Sequence, residues 1–224
     1  MIRAGSAPVK QAMEVEDAMA DIKKVVDFKE PGGLQKMKES LQEMSLVLLM
    51  NTVELMKITA AVGQAGIAEK DLLKFTKAAA KMGVVFDMSA KEAGDMMIKW
   101  RSGMNLTQDE AIALADATNA LSNNNAALGS QIGETLKRYH ALDKVAGLTE
   151  KQTAALAATV IGSGAVAEVA ATGINAFMRA LENGDSMSKT QKAAFQDLWF
   201  DPSQLQKEVK TDAPRAILNH LNEL

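Results

Sequence analysis

There is no cysteine in the 224 residues, so disulfides, thiolate metal sites and cysteine nucleophiles are excluded outright. Aromatic residues are scarce at 4%, and the alternation of aromatic and β-branched side chains that marks half-buried strands is hard to find. Only four prolines occur, which leaves room for long helices, because proline is the residue that breaks them. No Lys/Arg cluster is evident and the formal charge is −3, so a nucleic-acid groove, which needs a basic face, is not expected. The opening residues MIRAGSAPVKQAMEVEDAM carry acids early and lack an apolar h-region, which argues against a secretory signal. No uninterrupted apolar run reaches the roughly 18–20 residues that a spanning helix needs.

What is present points to helix. Apolar residues make up 47% and charged residues 24%, the balance of an ordinary globular protein, with methionine high at 14. Residues 1–12 mix Gly, Ser, Pro and Lys and read as a flexible leader. From Met13, Val15, Ala18, Met19, Ile22, Val25 and Val26 follow helical spacing until Pro31-Gly32-Gly33 interrupts. Leu34, Met37, Leu41, Met44 and Leu48 make the stripe of a second helix. Helix starts then recur. Ser89–Glu92 and Thr107–Glu110 are capping boxes, Thr149–Gln152 and Ser188–Gln191 repeat the device, and Asn51–Glu54 and Asp201–Gln204 offer related starts. Gly83, Gly103 and Asn183-Gly184 mark helix ends, where glycine takes the left-handed conformation.

The spacing predicts helices near 13–26, 34–50, 52–64, 68–82, 89–102, 107–122, 130–143, 149–161, 165–182, 188–199 and 202–222, the last breaking near 212–214. The fold class is therefore all-α, a compact multi-helix domain of about ten short helices built from hairpins. The helical domain covers 13–224, with 13–50 an N-terminal hairpin packed on or extending from 51–224. Apolar junctions at Ile67, Leu106, Leu148 and Met187 suggest a two-helix repeat. The side chains between them do not align, however, and Ser89 falls off the period.

Chemistry is hard to find. His140 and His220 are far apart and match no HxxxH spacing, so each reads as a surface or partly packed helix residue. The acid pairs Glu16/Asp17 and Asp109/Glu110 read as first-turn residues that offset the helix macrodipole. Trp100 and Trp199 read as anchors at helix junctions, and Ser122–Asn125 as a polar loop. Catalytic, cofactor-binding and metal-binding residues are all expected to be absent, and no cofactor is expected.

Gly147–Leu181 is the most apolar stretch and supports three readings. Gly162-Ser-Gly164-Ala-Val-Ala167 matches GxGxxA after a β-branched run, as in a dinucleotide turn, and Asp185 stands where a ribose-binding acid would. No βαβ pattern surrounds it, and 175–181 reads as helix. Between Thr153 and Met178 the only charge is Glu168, and Ala154, Ala158 and Gly162 are small residues four apart, as in a membrane-seeking hairpin. The glycines split that hairpin into halves too short to span. The third reading, a small-residue helical hairpin buried in its own domain, is preferred.

A series of short segments runs in order from about 14 to 221: Val15–Val26, Gly63–Ile67 with Asp71–Phe75, Ala80–Val84 with Phe86-Asp87, and Ala93-Gly94 through Lys99-Trp100-Arg101. Leu106–Glu110, Ala113–Asp116, Leu121–Asn124, Ala146–Leu148, Val169–Gly173 and Asp212-Ala213 with Ala216–Leu218 continue it. Together these segments resemble the conserved helical domain of phage tail tape measure proteins. Val15 stands where the family pattern has an aromatic.

The resemblance implies a non-enzymatic structural protein of the virion tail lumen, present in the host cytoplasm during assembly, that sets tail length. Implied partners are the tail tube protein, tail assembly chaperones and tail tip or baseplate proteins, with self-association open. No nucleic acid is implied, and a membrane enters only in the alternative, an ejection module whose 147–181 hairpin enters the host inner membrane. At about 1.5 Å per residue, 224 residues span only roughly 340 Å as one helix. The chain is therefore expected to be a domain of a longer protein or a truncated relative.

Overall fold

In a computed structural model, which describes residues 6–138, 147–197 and 201–221, the chain forms two compact units, Met1–Lys99 and Trp100–Leu224. The described residues contain eleven α-helices and no strand. In order these are α1 (Ser6–Val25), α2 (Gly33–Leu48), α3 (Thr52–Gln64), α4 (Glu69–Val85), α5 (Ala90–Gly103) and α6 (Gln108–Asn123). They continue with α7 (Gly129–Lys137), α8 (Glu150–Gly162), α9 (Ala167–Asn183), α10 (Lys189–Asp197) and α11 (Pro202–Leu221). The division between units falls within α5.

In the first unit α1 and α4 both pack on α3, and α2 packs on α3 and α4. Ile22, Leu41, Leu55, Met56, Ile58, Val62, Leu72 and Phe75 are sealed from water there. α1 and α2 also touch each other, though α1 packs chiefly on α3 and α2 on both α3 and α4. In the second unit α6 packs on α7 and α8, α7 on α8 and α9, α8 on α9, and α9 on α11. Ala154, Ala157, Ala158, Ala170 and Ala171 are all buried at these contacts. Small side chains let helix axes approach closely where aromatics are few, which is the reading preferred for 147–181.

One corner joins most successive helices. A residue with positive φ closes one helix, an apolar residue follows, and the next residue opens the following helix. The corners are Leu49-Met50-Asn51, Gly66-Ile67-Ala68, Asp87-Met88-Ser89, Asn105-Leu106-Thr107 and Gly164-Ala165-Val166, and the same residue order, Gly147-Leu148-Thr149, leads into α8. In the five corners the apolar residue's N–H donates back to a carbonyl five residues earlier: Met50 to Ser45, Ile67 to Val62, Met88 to Gly83, Leu106 to Arg101 and Ala165 to Val160, at 2.8–3.4 Å. This is the Schellman closure, and the same apolar residue precedes the next cap as the staple. Corners at Met50, Ile67, Met88 and Leu106 recur once per helix, which is why Ser89 falls midway in the two-helix spacing.

The capping boxes form as expected. Thr107 N–H donates to Glu110 Oε2 at 2.7 Å while Glu110 N–H donates to Thr107 Oγ1 at 3.3 Å, and Ser89–Glu92, Thr149–Gln152 and Ser188–Gln191 repeat this reciprocity. Asp201 Oδ1 accepts from Ser203 and Gln204, and Asn51 Oδ1 accepts from Val53. The break in α11 also forms: Asp212 leaves helical geometry at φ −154°, ψ 85° and its carboxylate caps Arg215 N–H at 3.2 Å.

Four local expectations are corrected. Gly83 lies inside α4 rather than beyond its end, because Ala90 Cα and Met88 O approach within 3.1 Å of where a Cβ would stand. Gly103 is the last residue of α5, and Asp87 and Asn105 take the left-handed turns at φ 51° and 53°. Aspartate and asparagine tolerate that region better than other side chains. Helix α1 starts at Ser6, within the stretch read as a leader; Pro8 falls in its first turn, where the missing N–H costs no bond. Glu16 and Asp17 are therefore mid-helix residues, not first-turn ones.

Candidate interaction surface

Residues considered for chemistry serve the fold instead. Trp100 is fully buried and its Nε1–H donates to Gly133 O at 3.2 Å. That bond satisfies the indole's only donor and anchors the start of the second unit on α7. Glu110 is occupied by the Thr107 cap, and Asp109 lies in the first turn of α6. Among the described residues no group of three or more His, Cys, Asp or Glu could hold a metal ion. His140 and Trp199, and the side chain of His220, lie outside the described residues.

The GxGxxA segment is a helix–helix corner. Helix, not strand, leads into Gly162, and α9 begins at Ala167. Gly164 has φ +104°, which only glycine adopts freely, and a Cβ at Gly162 would strike the Asn125 side chain. Both glycines are thus explained by backbone geometry and close approach. No helix of the described residues is long and apolar enough to cross a membrane.

What remains is surface. Leu46, Val47 and Leu49 at the end of α2 are 76%, 73% and 93% exposed. Val166 and Val169 stand out at the start of α9. A shallow apolar groove of about 200 Å³ runs between α8 and α11, floored by Leu148, Leu156, Pro214 and Ile217.

Several charges meet in local pairs. Lys24 meets Asp21 at 2.8 Å, Lys91 meets Asp95 at 2.8 Å and Lys137 meets Glu134 at 2.6 Å, each within one turn of its own helix. The hydrogen bond from Asp21 raises the Lys24 pKa above its usual value, and Asp95 does the same for Lys91. Arg138 reaches Glu168 at 2.7 Å, tying the end of α7 to the start of α9. The exposed residues Lys70, Lys74, Lys77 and Lys81 of α4 are dispersed in the sequence, yet helical periodicity sets them in one line. Sequence reading missed this stripe because no two of these lysines are adjacent.

The all-α fold accords with the comparisons. The sequence profile described as "Phage-related minor tail protein" matches residues 35–223. The chain belongs to that family. A probable tape measure protein of Halomonas phage phiHAP-1 is 35% identical over 224 residues, covering 95% of this chain. The chain spans 26% of that relative's length. No solved structure matches. The family is that of phage tail tape measure proteins, a structural group, and the helical fold agrees with the expected class.

Proposed function

We propose that this chain is a structural domain of a tail tape measure protein that takes part in tail assembly and length determination through protein–protein contacts. The carrying observation is the identity of 35% spread along 95% of the chain to a probable tape measure protein. The partners proposed are the tail tube protein, tail assembly chaperones and tip or baseplate proteins, met in the tail lumen and, during assembly, in the host cytoplasm. Helices folded back on one another span far less than the roughly 340 Å of a single straight helix. In a parent as long as that relative, the extended ruler therefore lies outside this folded part.

Electron microscopy of phage carrying in-frame deletions in the parent's other helical regions tests this. Tails should shorten by about 1.5 Å per residue removed. Tails of unchanged length would overturn the reading.

A further inference from the structure

Lys70, Lys74, Lys77 and Lys81 are exposed at i, i+4, i+7 and i+11 of α4, so they line one face over about 16 Å. Val84 and Val85 carry that face on for another turn and are 67% and 52% exposed. The helix's acids, Glu69 and Asp71, sit in its first turn, and from Leu72 to Val85 there is none. Lys70, Lys77 and Lys81 make no ion pair among the described residues, whereas Lys24, Lys91 and Lys137 each pair within their own helix. Like charges at i, i+4 destabilise a helix, so Lys77 and Lys81 hold an arrangement that is locally unfavourable.

We propose that this face of α4 docks an acidic helical segment of a partner protein. Its carboxylates meet the lysines at matching spacing, and an apolar residue closes over Val84 and Val85. A straight line of charge ending in exposed valines fits another helix laid alongside. The stripe has no arginine to grip a phosphate in two places and no aromatic to stack on a base. The apolar stripe of α4, Leu72, Phe75, Ala79, Ala80 and Met82, is buried in the first unit, so the helix has none left to lower into a bilayer. The assignment stands apart from the length-setting role, since it names only a partner's chemistry.

The test titrates the full chain into a labelled synthetic helical peptide with Glu at i, i+4, i+7 and i+11 and Leu at i+14. Its Gln counterpart, a short DNA duplex and vesicles containing phosphatidylserine are titrated in parallel. The Glu peptide should bind about tenfold more tightly than the Gln peptide, as expected of exposed pairs to Lys70, Lys77 and Lys81, and weaken as salt rises. The variant K77E/K81E, changed only at exposed positions and checked for unchanged helicity, should lose that preference and regain it toward a Lys-bearing peptide. Equal binding of Glu and Gln peptides, or an unaltered preference in the variant, overturns the proposal. Tighter binding of DNA or vesicles than of the Glu peptide overturns it as well.

Discussion

The hydroxyls of Thr59 and Thr76 lie 3.0 Å apart, fully buried where α3 packs on α4. Thr59 Oγ1 also donates to Leu55 O at 2.8 Å, so its one proton is used and Thr76 is the donor between them. Replacing Thr59 alone by Val leaves the Thr76 hydroxyl buried without its acceptor, which costs about 1–3 kcal/mol. Replacing both by Val removes donor and acceptor together and should be nearly neutral. Urea unfolding of the two single variants and the double variant closes the cycle. Additive losses would show that the hydroxyls do not depend on each other.

Glycines on α3 and α9 should respond oppositely to alanine. A Cβ at Gly63 would stand 2.8 Å from Val26 Cγ2 and 3.1 Å from Val25 Cγ2, where α1 crosses α3. A Cβ at Gly173, in the exposed middle of α9, would meet nothing within 4 Å. Gly173→Ala should therefore stabilise by about 0.5–1 kcal/mol, the ordinary helical gain. Gly63→Ala gives that gain back to overpacking, which costs about 1–3 kcal/mol. Thermal unfolding reads both; equal stabilisation at the two sites would mean α1 does not approach α3 this closely.

Ala158 and Ala171 are 0% and 2% exposed on α8 and α9. Leucine at either position should overpack the second unit and destabilise it by about 1–3 kcal/mol. Two silent substitutions would show that the small-residue faces are not buried against each other.

These cases show what a sequence can disclose. The caps were legible because Thr107 and Glu110 or Ser89 and Glu92 need only each other and one turn of backbone. Gly184 was legible as a helix end for the same local reason, with φ +45°. Gly83 was not, because glycine also serves close approach, and the chain that approaches it, Met88–Ala90, is fixed by the corner that follows. The Thr59–Thr76 pair and the crossing at Gly63 depend on how α3 is rotated against its neighbours, which periodicity leaves unspecified. The lysine line of α4 was readable in principle, by applying the 3.6-residue period to charges as well as to apolar residues.

The corner at Leu49 supplies a last prediction. Leu49 has φ 52° and ψ 39°, a conformation that leucine adopts at a cost of about 1–2 kcal/mol. At 93% exposure its side chain buries almost nothing in return. The bond that closes the corner, Met50 N–H to Ser45 O at 3.1 Å, uses backbone only and survives any substitution at position 49. Leu49→Gly removes the steric conflict but loosens the unfolded chain, which returns about 0.5–1 kcal/mol of the gain. The net expectation is a stabilisation of about 0.5–1 kcal/mol in urea unfolding. Asp87→Gly, at φ 51°, should gain less, because aspartate already tolerates this region. A Leu49→Gly variant that is less stable than the parent would mean the exposed leucine is held by a contact, and would mark the end of α2 as part of an interface.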